Sequence, residues 1–154
     1  MIEREIQTES TATPSVLNPV YKMMVILLLL LKNKSEKGAK ISRIQVYLWG
    51  MSGRKNRQIL ANYKDSGQVG ELPITPDRHL RVILADAEQK GLIESVKDGP
   101  NSVRYKITPQ GGVVLMQLTN TNIYGEIEDG LNEIGYLPDN KIDNINYVWT
   151  YDVF

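Results

Sequence analysis

The side chains of this 154-residue chain that could do chemistry are mainly cationic, and they occur in three short groups. An arginine can bind guanine through two hydrogen bonds, and a lysine or arginine can neutralise a phosphate. The groups are therefore candidates for nucleic-acid contact, with ordinary solvated surface charge as the alternative. The first basic cluster is Arg54, Lys55 and Arg57, the second is Arg78, His79 and Arg81, and the third is Lys97, Arg104 and Lys106.

The second basic cluster lies where the sequence predicts the start of a helix. Thr75 is a good N-cap, Pro76 suits the first helical position, and Asp77 suits the positively polarised first turn. Gly91 is typical of the left-handed residue that ends a helix. Between these signals, apolar residues recur at helical spacing, namely Leu80, Ile83, Leu84 and Ala87. We expect a helix of about four turns that carries the second basic cluster in its first turns.

The third basic cluster lies on a predicted β-hairpin. Residues 92–97 and 103–107 alternate as half-buried strands, and residues 98–102 have the composition of a turn. Cross-strand pairing predicts that the three cationic side chains project toward solvent or a partner. The opposite, inward face would carry Val103, Tyr105 and Ile107.

Two motifs in this region resemble the wing of winged-helix regulators of the multiple-antibiotic-resistance and phenolic-acid types. One is Gly91-Leu92-Ile93-Glu94, and the other is Tyr105-Lys106-Ile107-Thr108-Pro109-Gln110-Gly111. Within the second motif, Thr108 and Pro109 repeat the capped start of Thr75 and Pro76 and predict a further helix through Leu118. The resemblance implies a winged helix-turn-helix, in which the second basic cluster would face the major groove and the third would contact phosphates. The same domain binds only proteins elsewhere, so the resemblance is specific for fold rather than function.

Three more helices are predicted before the hairpin. Asn18 and Pro19 cap a helix that runs to about Lys32, and a charged loop follows over residues 34–40. Residues 41–49 form a second helix with Ile41, Ile44, Tyr47 and Leu48 on one face. A third helix starts at Ser52 and carries the first basic cluster, followed by a loop over residues 64–74. A minimal winged helix lacks this third helix, which could either extend a nucleic-acid surface or block it.

The C-terminal part is predicted as a helix followed by a strand. Ile123, Ile127, Leu131 and Ile134 recur at a helical period, and residues 145–154 have strong β-propensity. The aromatic tail, Tyr147, Trp149, Tyr151 and Phe154, either covers the protein's own sheet or adds as a strand to a partner. The predicted fold is α+β and mostly α, a winged helix-turn-helix with an inserted basic helix and this extension. Its parts are a flexible arm (1–17), a winged-helix domain (18–120) and an acidic, aromatic extension (121–154).

Several function classes lack support in the sequence. The absence of cysteine excludes a disulfide framework and thiolate chemistry, and it fits the cytoplasm that we expect for this chain. His79 is the single histidine, and Asp139, Asp143 and Asp152 have the setting of a solvated loop and strand, so we expect no metal, no cofactor and no enzyme activity. The apolar run 23–31 is too short to cross a bilayer, which needs about 20 residues.

Charge divides the chain and leaves two functional hypotheses. Residues 36–106 hold thirteen Lys or Arg against eight acids, whereas residues 107–154 hold one Lys against seven acids. One hypothesis is a non-enzymatic DNA-binding regulator or DNA-sensing subunit. The other is an adaptor, because residues 54–60 and 74–81 resemble the winged-helix middle component of bacterial three-component ABC-ATPase defence systems. That resemblance implies an ATPase or effector partner, and either hypothesis is compatible with a homodimer or a hetero-complex.

Overall fold

The computed structural model describes residues 18–33, 35–66, 71–72, 74 and 77–147. Its helices are α1 (Pro19–Lys32), α2 (Ile41–Gly50), α3 (Arg54–Ser66), α4 (Leu80–Gln89), α5 (Pro109–Leu118), α6 (Asn122–Ile134) and α7 (Asp139–Asp143). Its strands are β1 (Ala39–Lys40), β2 (Glu71–Leu72), β3 (Ile93–Lys97), β4 (Val103–Ile107) and β5 (Asn146–Tyr147). The described chain is therefore α+β and mostly helical, as predicted. The predicted arm, the cap at Thr75 and Pro76, and residues 148–154 lie outside the described residues.

Helix α1 forms the centre of the core. It begins and ends where the sequence predicts, and the Asn18 side chain accepts a hydrogen bond from the Val20 N–H at 2.8 Å. All residues from 24 to 30 are buried, because α2, α4, α5, α6 and β4 each pack against this helix. No helix in the described part of the chain is long and apolar enough to cross a membrane.

Two predicted loops contain short strands. Ala39 pairs with Tyr105 to place β1 beside β4, and Glu71 pairs with Asn146 in a parallel β2–β5 pair. Strands β1 and β2 lie in segments predicted as loops. They were not predicted as strands because a two-residue strand has no periodicity and depends on a distant partner. Helix α3 begins at Arg54 rather than Ser52 and continues to Ser66, into the predicted second loop.

The main sheet is antiparallel, with strand order β1-β4-β3. The predicted hairpin is confirmed, and its register places Ile93 opposite Ile107 and Lys97 opposite Val103. Thr108 starts α5 as predicted, since its hydroxyl accepts a hydrogen bond from the Gly111 N–H at 3.0 Å. Gly111 lies so close to the hairpin that an added Cβ would collide with the Leu92 carbonyl oxygen. This contact fixes α5 tightly against the base of the hairpin.

Helix α4 is shorter than predicted and starts later. The Asp77 carboxylate accepts a hydrogen bond from the His79 N–H at 2.9 Å, and the Asp77 carbonyl accepts one from the Leu80 N–H at 3.1 Å. These bonds make a turn before the helix, so Arg78 and His79 lie in that turn rather than in the helix. The helix has 10 residues rather than four turns. Its predicted core face is confirmed, because the four apolar residues of that face are all buried, namely Leu80, Ile83, Leu84 and Ala87.

The segment after α5 packs into the same core as the rest. Ile127, Leu131 and Ile134 of α6 are buried as predicted, whereas Ile123 is exposed. Gly135, with φ of 77°, ends α6. The sequence did not predict α7, because this five-residue helix buries only Ile142 and so carries no helical pattern.

Candidate nucleic-acid interface

Helix α4 and the turn before it present exposed cations beside neutralised acids. Arg78 and Arg81 are exposed, as is His79. Asp77 pairs with Lys22 at 2.6 Å, and Asp86 on α4 pairs with Lys90 at 3.0 Å. Partial burial opposes ionisation of Asp77, but the hydrogen bond from Lys22 holds its pKa below the ordinary value. The positive charge of the two arginines is therefore not cancelled by these neighbouring acids.

The hairpin is held against α4 by a hydrogen-bonded carboxylate. Glu88 of α4 accepts hydrogen bonds from the Ser95 hydroxyl at 2.6 Å and from the Ser95 N–H at 3.3 Å. Lys97 is exposed, but it pairs with Val103 and therefore projects from the face that was predicted to point inward, whereas Lys106 lies on the other face and is half-buried. Glu94 is the cross-strand neighbour of Lys106. The second and third clusters thus lie on two elements that contact each other.

Arg104 contradicts the prediction that it projects from the hairpin, because it is buried. Its Nε donates to Asp98 at 2.7 Å and its Nη1 donates to the Gly38 carbonyl at 3.0 Å. The hydrogen bond to Asp98 raises the pKa of Arg104 and lowers the pKa of Asp98. The guanidinium of Arg104 is enclosed by these two partners and by Asp139 of α7, which it approaches at 3.5 Å. Val103, predicted to face inward, lies beyond the residues of β4 that pair with β1 and is 40% exposed.

A second buried arginine, Arg43 on α2, was missed by the sequence reasoning. Its Nη2 donates to Asp139 Oδ1 at 2.7 Å, and its guanidinium lies 4.9 Å from the centre of the Tyr136 ring. Arg104 Nη2 approaches the other oxygen of Asp139 at 3.5 Å. The hydrogen bond from Arg43 lowers the pKa of Asp139. Arg43, Arg104, Asp98 and Asp139 form what we call the buried arginine cluster.

Asp139 and Asp143 lie in helix α7 rather than in the predicted loop, and Asp143 is exposed as predicted whereas Asp139 is partly buried. Asp139 belongs to the buried arginine cluster, and Asp143 pairs with Lys40 of β1 at 3.3 Å. Asp152 lies outside the described residues. Nearby, the Tyr47 hydroxyl donates to the Gly135 carbonyl at 2.7 Å and accepts from the Leu137 N–H at 2.8 Å, and burial raises its pKa. Together these contacts fasten α7 and the residues before it to α2 and the sheet.

The first basic cluster lies on a different part of the fold. Helix α3 packs mainly against α6 and α2. Arg54 and Lys55 are exposed, whereas Arg57 is partly buried and pairs with Glu133 of α6 at 3.3 Å. The contacts of the described residues thus do not bring this cluster together with the other two.

An open, mostly apolar groove runs between α1, α4 and α5, and we call it the α1–α4–α5 groove. Its volume is about 640 Å³. Val20 of α1 and Val82 of α4 line it while remaining 65% and 67% exposed. His79 also lines this groove, so the second basic cluster borders an apolar surface as well as a solvent-exposed one.

Other predicted sites have less structural definition. For the aromatic tail, the structure describes only the backbone of Tyr147, and Trp149, Tyr151 and Phe154 lie outside it. Within the described ranges, no three His, Asp or Glu residues come together as a metal site.

Comparison with protein-family models, with curated proteins and with solved structures found no match for this chain, so its function must be inferred from its own geometry.

Proposed function

We propose that this protein is a winged-helix protein that binds duplex DNA through α4 and the β3–β4 hairpin. Two features support the proposal at the level of architecture. A helix precedes a two-stranded hairpin, and a short strand from between α1 and α2 completes an antiparallel sheet in the order β1-β4-β3. In a winged helix, the helix before the hairpin enters the major groove and the flanking elements contact the backbone.

The observation that carries the proposal is the unequal neutralisation of charge on these two elements. The carboxylates of Asp77 and Asp86 pair with lysines, whereas Glu88 accepts a hydrogen bond from Ser95 and keeps its negative charge. Among the described residues, no ion pair includes Arg78, Arg81 or Lys97. The N–H groups of these three side chains can therefore donate to phosphates and base edges. Arginine is especially suited to this binding because its guanidinium donates two parallel hydrogen bonds.

The inserted helix α3 is compatible with this interface. Because it packs mainly on α6 and α2, it leaves the exposed side of α4 open in the described part of the chain. Arg54 and Lys55 supply exposed charge of the same sign at another place. Replacing both residues by alanine is therefore a matched control for replacing Arg78 and Arg81. It removes the same number of positive charges and leaves the proposed interface unchanged.

The test is the double variant Arg78→Ala/Arg81→Ala in an electrophoretic titration of duplex DNA at one fixed salt concentration. If both side chains bind base edges, the loss of two bidentate contacts costs roughly 2–6 kcal/mol of binding free energy. The control variant Arg54→Ala/Lys55→Ala should lose less affinity. Equal losses in the two variants, or no loss in the first, would remove α4 from the interface.

The adaptor hypothesis remains a prediction from the sequence. It depends on the aromatic tail, whose side chains lie outside the described residues. Deletion of residues 148–154 tests it directly. If the tail docks on a partner, the deletion should abolish co-purification of that partner while the shortened chain still unfolds cooperatively.

A further inference from the structure

The α1–α4–α5 groove has the features of an occupied surface rather than of a solvent-facing one. Val20 and Val82 lie on two of its walls with most of their surface exposed, and Val114 and Leu118 of α5 line a third. Folded proteins seldom leave a contiguous apolar cleft of this size open, and such surfaces usually contact another segment. The remaining question is which segment covers it.

We propose that residues 1–17 of the same chain dock in this groove. The arm joins the described chain at Asn18, and the next two residues, Pro19 and Val20, line the groove. Any path of the arm therefore begins at the groove. Seventeen extended residues span roughly 55–60 Å, whereas the groove wall from Pro19 to Leu27 is about 12 Å long. The arm can thus reach every part of the groove.

The composition of the arm matches the surface that it would cover. Its large apolar side chains are Met1, Ile2, Ile6, Val16 and Leu17, which suit a groove lined by valine, leucine and methionine. It also carries Glu3, Glu5 and Glu9 against a single Arg4. Lys22 and Lys90 line the groove and pair with Asp77 and Asp86, and Arg78 lies next to the groove in sequence with no ion pair among the described residues. The acidic arm therefore meets a surface of small net positive charge.

Tethering explains how a short segment can remain docked. A segment attached at the edge of its own site has an effective concentration on the order of millimolar, so modest apolar contact is sufficient. Docking would bury the exposed methyl groups of Val20 and Val82. This proposal does not depend on DNA binding, because the groove and the arm are properties of the chain alone.

The experiment exploits the absence of cysteine. A Thr8→Cys variant takes one nitroxide label in the arm, and methyl NMR of the full chain then reports which side chains lie near it. We expect broadening of the Val82, Val114 and Leu118 methyl resonances. Val82→Glu should abolish that broadening, whereas Val113→Glu should preserve it, because Val113 is similarly exposed but does not line the groove.

Three outcomes would overturn the proposal. The first is an absence of broadening at the groove, and the second is broadening that survives Val82→Glu. The third is broadening in a mixture of nitroxide-labelled chains and isotope-labelled chains without nitroxide, because that result would assign the groove to a second copy. A free peptide of residues 1–17 should displace the arm only near millimolar concentration, as the tether predicts.

Discussion

Arginine occurs in two contrasting settings in this fold. In the buried arginine cluster, Arg43 and Arg104 are 2% and 9% exposed and share the carboxylate of Asp139. On α4 and the turn before it, Arg78 and Arg81 are exposed beside acids that pair with lysines. The density of positive charge along a sequence therefore does not distinguish the two kinds of arginine. One kind stabilises the fold through buried contacts, and the other is exposed and can bind a partner.

The physical basis of the contrast is desolvation. A guanidinium removed from water is stable only when hydrogen bonds and opposite charge replace its hydration. Each buried arginine here has that replacement, including a backbone carbonyl for Arg104 and an aromatic ring for Arg43. The exposed arginines retain water instead, and a phosphate or base edge can displace that water.

The sharpest test of the comparison is Arg43→Ala. This change removes a charge-assisted hydrogen bond and the contact with Tyr136, and it leaves a void beside Tyr47, so we expect a loss of about 3 kcal/mol in the free energy of unfolding. Urea titration measures it. Arg81→Ala is the matched control and should lie within about 0.5 kcal/mol of the parent. Equal effects at both sites would remove the distinction between the two settings.

Arg104→Ala separates the buried arginine from the lysines on its own hairpin. We expect a loss of about 2 kcal/mol in unfolding free energy, because the Gly38 carbonyl and the Asp98 carboxylate lose their donor. The dependence of DNA affinity on salt should keep the slope of the parent protein. A flatter slope with unchanged stability would instead place Arg104 at the phosphates.

Asp139→Asn tests the shared carboxylate through pH. At pH 7 we expect a loss of roughly 1 kcal/mol, a modest value because the Asp139 side chain is 38% exposed to solvent. The pKa of Asp139 is lowered in the folded protein, so its contribution is fully present above the unfolded value of about 3.9 and disappears as pH falls through the folded value. The stability difference between variant and parent should therefore shrink below about pH 4. A constant difference down to lower pH would contradict an ionic origin.

Lys97→Ala/Lys106→Ala should have the smallest effect on stability and a selective effect on binding. Neither lysine has an ion pair among the described residues, so unfolding should change by no more than about 0.5 kcal/mol. If both contact phosphate, the slope of log affinity against log salt should fall by about two units, equally for all duplexes. An unaltered slope would exclude the hairpin lysines from the interface.

Local signals predicted much of the secondary structure. Asn18 and Thr108 cap α1 and α5 as expected, and the turn composition of residues 98–102 predicted the hairpin. Each of these signals acts over a few neighbouring residues, which is why the sequence alone reveals them. The later start of α4 is also local in cause, since the Asp77 side chain caps a turn rather than the helix.

The parts that were not predicted depend on contacts between distant residues. Arg43 and Asp139 are 96 positions apart, and Arg104 and Gly38 are 66 positions apart. No periodicity in either segment indicates such a pairing, so the burial of Arg104 away from the proposed interface could not be predicted from the sequence. The short strands β1 and β2 were not predicted for the same reason, because each depends on a partner far along the chain, whereas β5 lies in the segment whose β-propensity predicted a strand.

The bridging carboxylate of Asp139 also has a consequence for how the protein opens. Because one side chain joins α7 to both α2 and β4, the residues near α7 cannot detach without also releasing the arginine of the hairpin. Amide hydrogens of β4 and of residues 136–145 should then exchange with deuterium as one cooperative unit, with a common opening free energy. In Asp139→Asn the two segments should exchange independently, and the C-terminal segment should become the first part of the described fold to open.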